Sequence, residues 1–535
     1  MRYGLPHYVR TIDLRHRLIA RHHPRCGGVF FSGKVRDYCP RCGRNEKVEE
    51  VSLLREGRVD ALSVIREPRK GFEWAGNGVV GTVEIDVNGT TVKFPTEFTD
   101  IDITKGLFPV KEWVGREVGP TIRILDYNPD GALYYGAKFK PLPRNRSVRQ
   151  KPFTPALVES PEPGIASIGI SVPRYRTTAA EMARHFSLDA GYITRGLGVD
   201  EVTVPAWDQD TTTFAMDAAL DALSRLPPEI VDTIGMIVVG TESKPYSVKP
   251  TATSVQHLVG APQDIICYDA EFACIAAGMQ IKPAMAMIRA GEIDTALIIG
   301  ADVSQGAPGD PLDFDTGSGG ACLVISRYNV ILDYLTMNTH VGDHPDFARR
   351  KNHAYPFHGR AFTGHPSYFA FQEAAVAKAL EGVGIGVDDV AGATFHQPNF
   401  NFVAKEVEQL GLDAPTRKAR GLKPCVIGSP VIEIGNTYSA ATIFGLASLV
   451  NEPAHDVGDG QTTTFGAGDI ILTGWYGSGA AGGCALFRVS SLYPRYLEAT
   501  TPFSEILDSG DRDAGKKYVD LLARYFAKEM IYTEK

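Results

Sequence analysis

The 535-residue chain contains no run of about 18 consecutive apolar residues, so no membrane-spanning helix is expected. Cysteine is scarce, eight in 535, too few for a disulfide framework. Positive charge is not in excess: 55 Lys and Arg stand against 63 Asp and Glu, a net of −8, which disfavours a protein built wholly around a nucleic-acid backbone. The opening Met1-Arg2-Tyr3-Gly4-Leu5-Pro6 has no apolar core and no small-residue cleavage site, so no secretory signal is expected there. An apolar share of 44% and a charged share of 22% argue against long disorder. These absences leave a cytoplasmic protein of two or three domains as the expectation.

The charge that is present is unevenly placed. Residues 1–50 hold 11 Lys and Arg against 5 Asp and Glu, a local +6 that could meet phosphates; an Arg-rich solvated surface is the alternative. Residues 1–50 show little apolar periodicity. Residues 51–142 read as β: Val51–Leu54, Gly78–Val87, Thr91–Phe94, Pro120–Leu125 and Ala132–Phe139, with Asn88-Gly89 as a two-residue hairpin signal. Short strands at this density predict a small barrel. Prolines at 143, 152, 155, 161 and 163 mark 143–163 as a linker.

From residue 164 to about 490 apolar strands alternate with helical patterns, the α/β signature, and 491–535 reads as a C-terminal extension. The α/β region repeats itself. Ala215–Glu242 matches Phe371–His396 in length and pattern, as Tyr268–Cys274 matches Ile434–Ser439. Apolar strands then end in Gly300-Ala301-Asp302 and Gly477-Ser478-Gly479. Two similar halves, about 164–335 and 336–490, would bring Glu242, Cys274, His396 and Asn436 to corresponding strand ends.

Two constellations carry chemistry. His23-x2-Cys26 and, twelve residues on, Cys39-x2-Cys42 have the paired spacing of a tetrahedral zinc ribbon, with Gly27 and Gly43 on the two knuckles. His22 could also be the fourth ligand, and a ribbon on a barrel could bind nucleic acid, which the α/β region argues against. Cys274 closes a strand-like run before Ile275-Ala276-Ala277-Gly278-Met279; as a helix start this would depress the thiol pKa and make a nucleophile. Cys267, Cys322, Cys425 and Cys484 lie in apolar runs and read as core. His396 follows an apolar strand and could hold a carbonyl oxygen or move a proton, while Glu242 sits in a strand-end turn whose apolar surround would raise it into the range of a base.

With these residues stand Glu271-Phe272-Ala273-Cys274, Phe362-Thr363-Gly364 followed by Pro366-Ser367-Tyr368-Phe369, His396-Gln397-Pro398-Asn399, Gly435-Asn436-Thr437-Tyr438-Ser439 and Gly477-Ser478-Gly479. In this order, over residues 164–490, they resemble the hydroxymethylglutaryl-CoA synthases of the thiolase superfamily, most of all the archaeal type. Residues 1–142 resemble the zinc-ribbon/OB-fold protein that partners such enzymes, here joined to the same chain. The resemblance implies a duplicated thiolase-type α/β fold behind a ribbon and an OB-type barrel, with zinc structural and coenzyme A thioesters as substrates. It implies that Cys274 carries the acyl thioester, Glu242 is the general acid/base, and His396 polarises the acceptor ketone. Asn436 would orient the acceptor, and Thr363 and Ser478 would touch its acyl or thioester end.

Two positions depart from the resemblance. Ala361 stands where these enzymes usually have an Arg, with Arg360 one residue earlier, and Asn401 stands in place of a Lys. Both basic residues serve CoA in the relatives, and Lys405 or the basic N-terminal region is the candidate to compensate. The reaction expected is acetyl-CoA plus acetoacetyl-CoA plus water giving hydroxymethylglutaryl-CoA, the mevalonate-pathway step. Alternatives are a Claisen or retro-Claisen acyltransferase on another 3-oxoacyl-CoA, and a non-catalytic CoA-ester scaffold. A homodimer through the thiolase-type core and an acetoacetyl-CoA thiolase partner are also expected.

Overall fold

Hydrophobic alternation in the N-terminal third and continuous apolar runs thereafter lead to two different sheet architectures. A computed structural model describes residues 5–31, 39–43, 48–66, 78–101, 103, 109–127, 132–142, 152–351, 353–359, 363–458 and 460–508. The chain divides into two units, one of residues 1–145 with Trp207–Gln209, the other of 146–206 with 210–525 as far as described. Arg360, Ala361 and most of the expected C-terminal extension lie outside the described residues. Among the described residues no helix is long and apolar enough to cross a membrane.

In the first unit β1 (Ile19–His23), β2 (Gly28–Phe30) and β3 (Glu49–Ser52) form a small antiparallel sheet. A closed five-stranded barrel follows from β4 (Gly57–Ile65), β5 (Gly78–Val87), β6 (Thr90–Phe98), β7 (Glu117–Tyr127) and β8 (Leu133–Pro141), in the order β4-β5-β6-β8-β7. Val83, Ile85 and Val87 of β5 alternate inward to meet Phe94, Phe98 and Phe139 in one core. Asn88 and Gly89 both take positive φ, +52° and +80°, and close the hairpin as its sequence predicts. One strand differs from expectation. Part of the run 51–54 joins the ribbon sheet through β3, and the barrel starts at Gly57, whose apolar alternation is broken by a bulge between Val59 and Ala61.

The second unit is organised around ten strands: β9 (Glu159–Ser171), β10 (Ile234–Gly240), β11 (Ile266–Ala270), β12 (Thr295–Val303), β13 (Ser318–Tyr328), β14 (Leu332–His344), β15 (Val390–Phe395), β16 (Val426–Gly428), β17 (Ile470–Gly477) and β18 (Gly479–Val489). Their order is β11-β10-β12-β13-β9-β14-β18-β17-β15-β16. Adding five to each label of the first half gives the second half, so the repeat seen in the residues is a structural duplication. Among the described strands, Leu332–Asp333 against Gly164–Ile165 joins the halves edge to edge. In both halves the inner strand runs parallel to its two neighbours, β10 to β11 and β12, β15 to β16 and β17. Such strands are covered on both faces, and all nine residues of β12 are buried. The covering helices include Thr211–Leu223, capped reciprocally by Asp210 and Thr213, and the almost wholly buried Ala441–Val450.

Glycine decides how closely the halves meet. A Cβ on Gly300, in β12, would lie 2.4 Å from the Ser439 carbonyl of the second half; one on Gly477, at the end of β17, would lie 2.4 Å from Ile275 and 2.8 Å from the Phe272 carbonyl of the first. Each half's strand end thus packs directly on the other half's turn. Gly477→Ala is expected to push the Phe272–Ile275 turn aside, costing ~1–3 kcal/mol of stability, with a larger relative loss of activity because Cys274 rides on that turn. Thermal unfolding and turnover measured on the same preparation check this.

Candidate active site

Parallel strands of an α/β sheet present their C-terminal ends, and the loops beyond them, to one side. Glu242 lies two residues past β10, Cys274 past β11, Asp302 within the end of β12, His396 directly past β15, and Ser478 between β17 and β18. The Cys274 thiol donates a hydrogen bond of 3.1 Å to Glu242 Oε1. Cys274 is only 6% exposed.

The local structure at Cys274 corrects one expectation. Ala273 takes a left-handed φ of +43°, and the chain turns through Ile275–Ala277 and a short 3₁₀ segment before the α-helix starts at Ile281. Cys274 is therefore on a sharp turn, not at a helix N-terminus. Burial, then the charge of Glu242, push its thiol well above the usual range. A thiolate here would form more readily with a partner to take its proton, and Glu242 is the carboxyl hydrogen-bonded to the thiol.

Glu242 is itself pushed up to about 8, by burial first and then by the charge of Asp302; the Cys274 thiol and Arg349 act the other way. Asp302 is fully buried and organises the floor. Its Oδ1 accepts from the Glu242 amide at 2.8 Å, Thr241 Oγ1 at 2.8 Å and Ser243 Oγ at 2.7 Å. Its Oδ2 accepts from the Ser439 amide at 3.1 Å and hydroxyl at 2.6 Å, which couples the Glu242 turn to the Asn436–Ser439 turn of the other half.

His396 is 2% exposed, and burial lowers it to about 3, so the ring is neutral near pH 7. The rest of its motif is structural. Gln397 donates to the Ala441 carbonyl and accepts from the Val431 amide, and Asn399 caps the helix Phe400–Gln409 while donating to Asp315. Tyr368 Oη donates to the His396 carbonyl, and the Tyr476 ring stacks 6.4 Å from the imidazole. Asn436 accepts from the Tyr438 amide at its Oδ1, which orients its Nδ2 as a donor.

Asp346, fully buried, collects the remaining candidates. It accepts from Tyr476 Oη at 2.7 Å, Ser478 Oγ at 3.2 Å and the Gly479 amide at 3.2 Å, and its backbone carbonyl accepts from Thr363 Oγ1 at 3.1 Å. Its charge acts on Cys274. Sequence reasoning missed Asp302, Asp346, Tyr438, Tyr476 and Arg349; the one available signal was the position of Asp302 at a strand end. Lys405 is not drawn into this network. It is exposed, with its ammonium 4.8 Å above the Phe369 ring. Asn401 donates to the carbonyls of Arg195 and Gly196, at 3.0 and 2.8 Å.

Of the other cysteines, Cys322 and Cys484 are fully buried and raised by burial, as core residues should be. Cys267 and Cys425 are only partly buried, a departure from the core reading. In the first unit the ligand atoms of His23, Cys26, Cys39 and Cys42 all lie within 4.8 Å of one another. The Cys26 and Cys39 sulfurs are 3.6 Å apart, close to the ~3.8 Å that two thiolates at ~2.3 Å on a tetrahedral zinc require. Gly27 and Gly43 take φ of +66° and +70° on the two knuckles. His22, adjacent on β1, instead sits 3.7 Å from Glu49, so His23 is the histidine that the strand turns toward the sulfurs.

With this geometry established, the known proteins it resembles become informative. No family model matches the chain. The hydroxymethylglutaryl-CoA synthase of Methanothermobacter thermautotrophicus is 38% identical over 367 residues, 68% of this chain and 98% of that protein. The chain belongs to the hydroxymethylglutaryl-CoA synthase family. The Methanocella arvoryzae synthase is 40% identical over 319 residues, 58% of this chain and 88% of that one. Among solved structures, an HMG-CoA synthase complexed with CoA aligns with a TM-score of 0.57 at 19% identity, over 66% of this chain and 90% of that chain. The 3-oxoacyl-[acyl-carrier-protein] synthase III of Aquifex aeolicus gives 0.52 at 21% identity, over 61% and 99%. These two show the thiolase-type fold. As a member of the family, the chain is an acyl-condensing enzyme.

Proposed function

We propose that the chain joins acetyl-CoA to acetoacetyl-CoA and, with water, forms hydroxymethylglutaryl-CoA and free CoA. The observation that carries this reading is the 3.1 Å hydrogen bond from Cys274 to Glu242 past the ends of two neighbouring parallel strands, with a buried neutral His396 past the corresponding strand of the second half. Glu242 takes the thiol proton; the Cys274 sulfur attacks the acetyl carbonyl, and CoA leaves as its thiol after protonation. The ionised Glu242 then removes a proton from the acetyl methyl, and the resulting enolate carbon attacks the ketone carbon of acetoacetyl-CoA. His396 donates a hydrogen bond to the oxygen that becomes the alkoxide, with Asn436 orienting the acceptor, and the proton that Glu242 took from the methyl then passes to that alkoxide to give the hydroxyl. Water finally cleaves the thioester to Cys274. Ser478 and Thr363, which share Asp346 as partner, would meet the acyl end, and the exposed Lys405 would meet the phosphates of CoA.

A base raised to about 8 gives the condensation step a sign: its rate climbs as pH rises through that value, because only ionised Glu242 accepts the methyl proton. A CoA-ester scaffold would need no such pairing of thiol and carboxyl. Incubating pure protein with a panel of acyl-CoAs and weighing the products tests the reading. Acetoacetyl-CoA as sole productive acceptor supports it, and productive use of another 3-oxoacyl-CoA instead favours the wider acyltransferase reading.

The reading includes one structural zinc held by His23, Cys26, Cys39 and Cys42, supported by the donor set and its spacing. Cys39→Ser is expected to lose bound zinc and loosen the first unit; undiminished zinc by metal analysis would count against it. It also includes a cytoplasmic homodimer through the core. Support for the dimer is the outermost strand β11, which leaves Ile266 and Tyr268 41% and 36% exposed. An acetoacetyl-CoA thiolase as a further partner rests on the zinc-ribbon spacing and barrel pattern of residues 1–142 alone.

A further inference from the structure

The segment Asp346–Arg349 touches three separate parts of the site within four residues. Asp346 holds Tyr476, Ser478 and Gly479. Phe347, in a two-residue strand paired with Phe357–His358, sets its ring 6.0 Å from Tyr438, edge on. Arg349, two residues further along, donates from Nη2 to the Glu242 backbone carbonyl at 2.9 Å. Its partner is the peptide that carries the carboxyl facing Cys274.

We propose that Arg349 is a positioning residue for Glu242, fixing the peptide of the base by its carbonyl and presenting a cation to its carboxyl. The proposal rests on the reading of Glu242 as that base. Of the groups around the carboxyl, Asp302, from the end of β12, and burial oppose its ionisation, while the thiol of Cys274, from the turn after β11, favours it through its hydrogen bond; Tyr438, from the turn after Asn436, is itself raised by burial and by the charge of Glu242. Lys244, two residues past Glu242, is engaged by Glu271. Arg349 is the cation that acts on Glu242 against burial and Asp302. Without it, the ionised form is less favoured and the peptide loses an anchor.

The test follows the condensation step alone. Enzyme acetylated in advance is mixed with acetoacetyl-CoA, and the single-turnover rate is measured across pH. Arg349→Gln is expected to move the rise in rate upward by about 0.5–1 pH unit, a three- to tenfold deficit at neutral pH that shrinks in alkali. Arg349→Lys keeps the charge, so the rise should stay in place while the plateau falls. A purely structural role would lower the rate equally at every pH, and an Arg349→Gln profile parallel to that of the parent protein overturns the proposal. Glu242→Gln in the same assay separates the two claims. If it condenses at the parent rate, the base itself is wrong; if it is inactive while the Arg349→Gln profile is unshifted, only the role of Arg349 is wrong.

Discussion

Incubated with acetyl-CoA, the intact protein is expected to gain a single acetyl group, and Cys274→Ser to gain none. Five of the eight cysteines lie in the second unit, but their surroundings differ. Cys322 and Cys484 are sealed inside the sheet, and Cys425 faces the Val426 carbonyl at 3.8 Å, which cannot take its proton. Cys267 is raised to about 11 by burial and by the neighbouring charge of Asp269. Cys274 alone among them donates to a carboxyl in the hydrogen bonds described, and it sits where the turn leaves the sheet. A hydroxyl in its place is held by the same carboxyl but is far less acidic and less nucleophilic. Turnover should fall by about a thousandfold or more. Intact mass reads the adduct directly; an acetyl group persisting on Cys274→Ser would remove the nucleophile from the account.

Glu242→Gln should split the reaction in two. The amide keeps the shape and can still accept from the thiol through its carbonyl, so Cys274 should acetylate, slowly but to completion. The enolate, however, needs a group that keeps the methyl proton, and a side-chain amide does not. Condensation from the preformed acetyl-enzyme is expected to drop by roughly 10³-fold, about 4 kcal/mol of barrier. The pH dependence should change as well: the rise near pH 8 belongs to Glu242 and should vanish with it. Rapid-quench measurement of acetylation and condensation separately checks both statements. Slow acetylation with condensation from the preformed acetyl-enzyme intact would mean that Glu242 serves only to activate the thiol.

Glu242, Cys274 and His396 could be singled out because strand-end position, the repeat that sets Glu242 and His396 at matching ends, and the resemblance of the surrounding motifs pointed to the same three residues. The residues that organise them could not. Asp302 reads as an ordinary polar residue at the end of an apolar run and Asp346 as part of a polar stretch, since burial of a carboxylate depends on donors from distant segments such as Ser439 and Tyr476. The helix start assigned to Cys274 failed for a related reason. Ala276, Ala277 and Gly278 suit a helix and a tight turn equally, and the choice is made by Gly240 and Gly477, whose lack of a Cβ lets strands from both halves press against Ile275–Ala277. In the first unit, the hairpin at Asn88-Gly89 was readable from local chemistry alone, whereas β4 was hidden by its bulge. His22 and His23 are adjacent and chemically identical; only strand alternation turns one toward Glu49 and the other toward the sulfurs.

The central claim is that carbon–carbon bond formation passes through an acetyl group on Cys274. Isolated enzyme carrying an isotope-labelled acetyl on Cys274 can be mixed with unlabelled acetoacetyl-CoA for one turnover and the products weighed. The account predicts that the label leaves Cys274 and is recovered in hydroxymethylglutaryl-CoA, one labelled acetyl unit per product. Label recovered as free acetate or acetyl-CoA, with unlabelled condensation product or none, would contradict it.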